Sequence, residues 1–235
     1  MSEYLDLAIL AYQNPTTDVL CMVQPLTISA VKAFFYDALP KSDAQFYTIV
    51  FEDKLVFVFR GSSSAQDFII DTNIFMSSMQ EIGNNAMVHS GFYSQFNTIK
   101  YEVLSSVFTF VRKHSRSHIV FVGHSLGGAL ATLCAATTKA LLNDKVIVTC
   151  ETFGSPRVGN STFVRFFNSK IEHSIRVVNG NDIVTMLPRF RYEHVKGEKR
   201  IGYRQSDFIS MYFGDISDHY TGTYKDSSLK KKCLL

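Results

Sequence analysis

The stretch VFVGHSLGGALATL, Val120 to Leu133, restricts the possible folds of this chain more than any other. Its β-branched and aromatic opening reads as a buried strand, and its small-residue continuation reads as a helix. Between them stands one serine, Ser125, with Gly123 and Gly127 two positions to either side. A serine on so sharp a strand-to-helix turn sits in strained backbone, and side chains at the two glycines would collide with the elements that cross there. The helix that starts beside Ser125 aims its positive end at any negative charge forming nearby. Ala129, Ala131, Ala135 and Ala136 let that helix lie close to a sheet.

The rest of the chain supplies such a sheet. QFYTIVFE and KLVFVFRG, separated by Asp53, read as a hairpin of neighbouring strands. From Gly91 to His114 the residues Phe92, Phe96, Ile99, Val103, Leu104, Val107, Phe108 and Val111 recur at helical spacing. HIVFVG then reads as a strand, SLGGALATLCAATTKALL as a helix, KVIVTCETFG as a strand, STFVRFFNSKI as a helix and SIRVVN as a strand. Arg189, Arg191, Lys196, Lys199, Arg200 and Arg204 fall in a basic stretch that reads as a solvated hairpin. Strands alternating with helices predict an α/β fold, with a mostly parallel central sheet flanked by helices on both faces. At 235 residues the chain fits one such domain. Ligands of such sheets sit at the carboxyl ends of the strands.

The turn around Ser125 has the spacing of the nucleophile elbow of α/β-hydrolases. A serine hydroxyl is a poor nucleophile near neutral pH, so it needs a general base, and the base needs an acid that fixes its tautomer. In this fold the order along the chain is Ser, then Asp or Glu, then His. Asp182, in RVVNGNDIVTMLP, follows an apolar strand and a turn, which suits the acid; Glu193 and Glu198 sit in the basic stretch and are poorer candidates. His219, in the polar loop ISDHYTGTY, suits the base, with His194 in RYEHVKGE as the alternative. His173 precedes Asp182 and breaks the order, and His124 is too near Ser125 along the backbone to face it.

Composition removes other classes. With 46% hydrophobic and 19% charged residues the chain is an ordered globular protein. A net charge of 24 minus 21, or +3, is too slight for nucleic-acid binding, although the local basic clusters, including Lys230 to Lys232, suit an anionic lipid surface. Cys21, Cys134, Cys150 and Cys233 show neither zinc-site spacing nor disulfide density, and no metal-binding motif is present. The opening MSEYLDLAILAYQN lacks the basic start of a signal peptide, and no run of membrane-spanning length occurs, so a cytoplasmic location is expected.

VFRGSSSAQDFIID, VHSGFYSQF, VGHSLGGALATL, TFGSPRVGN, RVVNGNDIVTMLP, YEHVKGE and DHY, in this order, resemble the class 3 lipase family, the fungal triacylglycerol lipases and their relatives, from Phe46 to Tyr220. The resemblance implies an oxyanion hole from Ser62, after the Arg-Gly pair, and the amide of Leu126. It also implies a lid at about 64–76, whose Phe68, Ile69 and Ile70 would meet lipid; the basic tail at about 225–235 is read from the charge pattern itself. Phe68 stands where some fungal relatives have tryptophan, and this chain has none. The activity implied is a serine carboxylester hydrolase cleaving acyl esters of glycerolipids through an acyl-enzyme, with no cofactor and with lipid as substrate. The family also contains feruloyl-type esterases, phospholipases A1 and lipase-like proteins without hydrolytic activity, so these readings stay open.

Overall fold

The computed structural model describes residues 3–12, 33–38, 44–62, 75–114, 117–202 and 215–233. Strands β1 (Ala33–Ala38), β2 (Gln45–Val50) and β3 (Lys54–Phe59) form an antiparallel meander, with the β2–β3 turn closed by the Phe51 amide on the Lys54 carbonyl at 2.9 Å. From β3 onward the sheet is parallel: β6 (Ser117–His124), β7 (Val146–Phe153), β8 (His173–Asn179) and β9 (Glu198–Ile201) follow in spatial order, giving seven strands in the order β1-β2-β3-β6-β7-β8-β9. A separate two-stranded sheet pairs β4 (Met76–Ser78) with β5 (Met87–His89).

Two apolar clusters lie on opposite faces of the large sheet, and the period of two along each strand decides which side chain joins which. Ile119 and Phe121 of β6 face α2 (Ser90–Lys113), α3 (Leu126–Leu142) and α4 (Ser161–Lys170), whereas Val120 and Val122 face α1 (Glu3–Leu10) and α5 (Thr221–Cys233). This is why HIVFVG reads as an unbroken apolar run instead of an alternating one. Phe57 of β3 stacks on Phe121, ring centroids 5.3 Å apart, and each such buried ring contributes roughly 1.5–3 kcal/mol through removal from water. Ala129, Ala131, Ala135 and Ala136 of α3 are fully buried, so the helix lies pressed between the sheet and its neighbours.

Two expectations change. On α2 the buried stripe is Phe92, Phe96, Ile99, Val103, Val107 and Phe110, while Phe108 is 40% exposed. Steps of three and four keep those residues on one face, and position 108 falls off it. Among the described residues of the basic stretch the expected hairpin is not seen. Its described strand, β9, runs parallel to β8, pairing Arg176 with Glu198 and Asn179 with Ile201. A parallel neighbour must enter from the same end as its partner, so residues 180–197 form a long crossing connection, anchored by the buried Tyr192 and by an isolated bridge from Glu193 to Gly159. Arg204 lies outside the described residues. At the carboxyl end of the chain, the expected basic tail begins within α5.

Candidate active site

Ser125 occupies the turn between β6 and α3 with φ 57° and ψ −127°, a left-handed conformation that side chains other than glycine rarely adopt. The turn is held from outside: the Ser125 amide donates to the Phe153 carbonyl at 2.9 Å, continuing the β6–β7 pairing beyond the strand. Both flanking glycines are there for space. A Cβ on Gly123 would sit 2.2 Å from the Gly127 carbonyl oxygen, and one on Gly127 would sit 2.2 Å from the carbonyl oxygen of Phe59 at the end of β3. Any larger residue at either place pushes backbone against backbone.

Asp182 reaches the same rim through a docked pair of loops. β8 ends at Asn179, and the turn that follows lies against residues 215–218: the Asp215 amide donates to the Asn181 carbonyl at 2.8 Å, and the Asn181 amide donates to the Asp218 carboxylate at 2.8 Å. The Asn179 side-chain amide donates to the Asp218 carbonyl at 3.0 Å. This docking delivers His219, in the single turn Ser217–His219, to Asp182.

The three side chains meet. The His219 Nδ1 lies 3.0 and 2.9 Å from the two Asp182 oxygens, and Nε2 lies 2.8 Å from the Ser125 Oγ. A carboxylate only accepts, so Nδ1 carries the proton, and Nε2 turns its lone pair to the serine hydroxyl. Asp182 also accepts the Val184 amide at 2.9 Å and the Tyr224 hydroxyl at 2.6 Å. Burial, and then the neighbouring Asp182, push the Tyr224 hydroxyl well above its usual range, so it remains a donor. Asp182, His219 and Ser125 are all buried, with at most 2% of their surface exposed. His219 is thus fixed at both ring nitrogens rather than swinging on a mobile loop.

The implied oxyanion donors fall on this rim too. β3 and β6 pair Phe59 with Gly123, and two residues further on Gly61 stands against Ser125, where a Cβ would lie 3.0 Å from the serine Cβ. Ser62 and Leu126 follow directly on these two neighbours. Leu126 opens α3, whose leading N–H groups have no carbonyl partner within the helix. Phe68, Ile69 and Ile70, with residues 64–74 of the expected lid, lie outside the described residues.

The other histidines take different places. His194 is half-buried and donates through Nε2 to the Thr185 carbonyl at 2.6 Å; desolvation, then the positive Arg176, push it down to about 3, so it is a neutral structural donor. His89 caps α2 by accepting the Phe92 amide, and His118 meets the Thr149 hydroxyl at 2.8 Å. Glu198 pairs with Arg176 and Arg200. Among the described residues no group of three or more His, Cys, Asp or Glu side chains is arranged to hold a metal ion.

The residues that sequence reasoning missed are those that act at a distance. Tyr224 supports Asp182 from α5, and Tyr12 bonds to His124 from just beyond α1 at 2.7 Å. No spacing links either tyrosine to its partner, which lies 42 and 112 positions away respectively.

Comparison with known proteins gives the family and the fold. Residues 56–192 match the model of the family described as Lipase (class 3). The lipase of Rhizomucor miehei is 32% identical over 171 residues, covering 70% of this chain and 46% of that protein. The secreted mono- and diacylglycerol lipase 1 of Fusarium solani is 32% identical over 147 residues, covering 62% and 43%. The chain therefore spans about half the length of the curated relatives it matches. Among solved structures, the Rhizomucor miehei triacylglyceride lipase superposes with a TM-score of 0.77 at 23% identity, covering 94% of this chain and 92% of that one. A triacylglycerol lipase whose catalytic centre is formed by a serine protease triad superposes with a TM-score of 0.77 at 26% identity, covering 92% and 90%.

Proposed function

Since this chain belongs to the class 3 lipase family and has the α/β-hydrolase fold, we propose that it is a serine carboxylester hydrolase cleaving acyl esters of glycerolipids, with Ser125, Asp182 and His219 as its catalytic residues. The observation that carries this reading is the buried relay in which the His219 Nε2 stands 2.8 Å from the Ser125 Oγ while its Nδ1 is held by Asp182. As Ser125 attacks the ester carbonyl, His219 takes the hydroxyl proton. The negative charge that forms on the carbonyl oxygen faces Ser62 and the amide of Leu126, at the positive end of α3. His219 returns the proton to the leaving alcohol, and water releases the acyl group by the same route. Asp182 keeps the imidazole in its working tautomer and offsets its positive charge.

Glycerolipid substrates are supported by the relatives, which are named as triacylglycerol or mono- and diacylglycerol lipases. Contact with an anionic lipid surface belongs to the same proposal. Phe75 and Phe190 are 74% and 71% exposed, and Phe190 stands between Arg189 and Arg191. The Tyr192 hydroxyl donates to the Phe75 carbonyl at 3.1 Å, which brings the two segments side by side. The cytoplasmic location expected from the sequence is likewise part of the proposal, as is a single domain spanning the chain.

The test is Ser125→Ala, assayed on monoacylglycerol, triacylglycerol and a short p-nitrophenyl ester, with folding checked by circular dichroism. Turnover should fall by at least about a thousandfold, and labelling by a fluorophosphonate should disappear. Parental turnover in that variant would show that another group is the nucleophile. A parent enzyme that neither turns over esters nor reacts with the probe would be a lipase-like binding module instead.

A further inference from the structure

His124 precedes the nucleophile, and its ring points away from it into the opposite face of the sheet. It is fully buried and lies against the ring of His219, centroids 4.7 Å apart. Its Nε2 is 2.8 Å from the His219 backbone carbonyl, and its Nδ1 is 2.7 Å from the Tyr12 hydroxyl. A carbonyl only accepts, so Nε2 carries the proton, and Nδ1 must accept from Tyr12. The Tyr12 hydroxyl also lies close against the backbone of Gly61, the residue before Ser62.

The bonds therefore run in one direction, from the Tyr12 hydroxyl to His124 and from His124 to the His219 carbonyl. Both ring nitrogens of His124 are thereby satisfied. Close packing fixes the line laterally, since a Cβ on Gly61 would lie 2.1 Å from the Tyr12 hydroxyl, and Arg60 sits 5.7 Å from the centre of the Tyr12 ring. One buried strut thus joins the segment that leads to Ser62 with the backbone of the residue that faces Ser125.

Resting on the hydrolase reading above, we propose that Tyr12 is a positioning residue for the general base: its hydroxyl locks His124 as the neutral Nε2–H tautomer, and that tautomer holds the His219 backbone in place. Without the hydroxyl, His124 is free to move its proton to Nδ1. Its bare Nε2 would then face the carbonyl oxygen, lone pair against lone pair, and the loop bearing His219 would shift. Burial and the adjacent His219 push His124 down to about 3, so the strut adds no positive charge beside the imidazolium that forms during turnover.

Imidazole nitrogen NMR on the unmodified protein is the first test, and it is independent of any activity. His124 should appear as the neutral Nε2–H tautomer from mildly acidic to mildly basic pH; an Nδ1–H tautomer or a titration in that range overturns the proposal. Kinetics on a short ester supply the second. Tyr12→Phe should lower kcat about tenfold to a hundredfold with KM little changed, as expected when a catalytic group is misplaced by a fraction of an ångström to an ångström. His124→Gln offers an amide donor that has no tautomers, so adding Tyr12→Phe to it should cost less than threefold. Equal losses from Tyr12→Phe in both backgrounds would show that Tyr12 does not act through His124. If the parent hydrolyses no ester, the catalytic reading fails while the tautomer measurement still decides the strut.

Discussion

Ser125 shows how much a single residue can be constrained by what surrounds it. A non-glycine residue in its conformation carries about 1–3 kcal/mol of strain, and the Phe153 carbonyl and the buried triad hold it there. Two desolvated histidines make the same argument through protons. His124 and His194 are each pushed from 6.5 down to about 3, by burial first and then by a neighbouring positive or titrating group. Above pH 6.5 both are neutral whether the chain is folded or not, and neither affects stability. As the pH falls from 6.5 toward 3, the unfolded chain binds a proton at each site that the native protein refuses, so stability falls with acid. Each histidine should contribute a slope of about 1.4 kcal/mol per pH unit. Urea unfolding across this range should show His194→Gln with a slope shallower by that amount; an unchanged slope would mean that His194 titrates normally in the native state.

At the level of elements, the turn into α3 is a packing contact as much as a chemical site. Gly127 abuts the carbonyls of Phe59 and Arg60, both backbone atoms that cannot rotate away, where β3 leads into Gly61 and Ser62. Gly127→Ala should therefore destabilise the protein by about 1–3 kcal/mol or more. It should also spread β3 from α3. Gly222, with nothing within 4 Å of a Cβ placed on it, supplies the control within α5. Gly222→Ala should raise stability by several tenths of a kcal/mol, since alanine loses less backbone freedom in a helix. Thermal unfolding of the two variants side by side decides the point: equal effects would remove the close approach as the reason for Gly127. The far end of α3 is held differently. There the buried Lys139 pairs with Glu172 and donates to the Val146 carbonyl at 2.8 Å, placing positive charge on the negative end of the helix.

For the whole molecule, the proposed lipid contact predicts a particular response to salt. Each arginine near an anionic surface is worth about 1 kcal/mol, and that attraction is screened within a Debye length. Cosedimentation with anionic vesicles should weaken as salt rises, and Arg189→Ala with Arg191→Ala should reduce both the binding and its dependence on salt. Phe190→Ser should weaken binding at low and high salt alike, because burial of its ring is not screened. Binding that ignores both salt and these changes would place the lipid contact elsewhere.

Much of the architecture was legible along the chain because its causes are local. The period of two in β6, the three-and-four steps of α2, and glycines spaced around a serine each act over a few residues. Order along the chain set His173 aside, and the character of the flanking stretches favoured Asp182 and His219 over Glu193 and His194. What failed was pairing across distance: the basic stretch became a crossing connection with a parallel strand, because pairing direction depends on where the rest of the sheet leaves an edge. The same limit concealed Tyr224 beside Asp182 and Tyr12 beside His124, contacts that exist only once elements from the two ends of the chain fold onto one face of the sheet. Covalent order and side-chain periodicity determined the strands and the elbow, and with the character of the flanking turns they singled out the proposed triad. The tertiary structure alone decided the tautomers, the burial and the distant hydroxyls that orient them, since these depend on which groups lose water together.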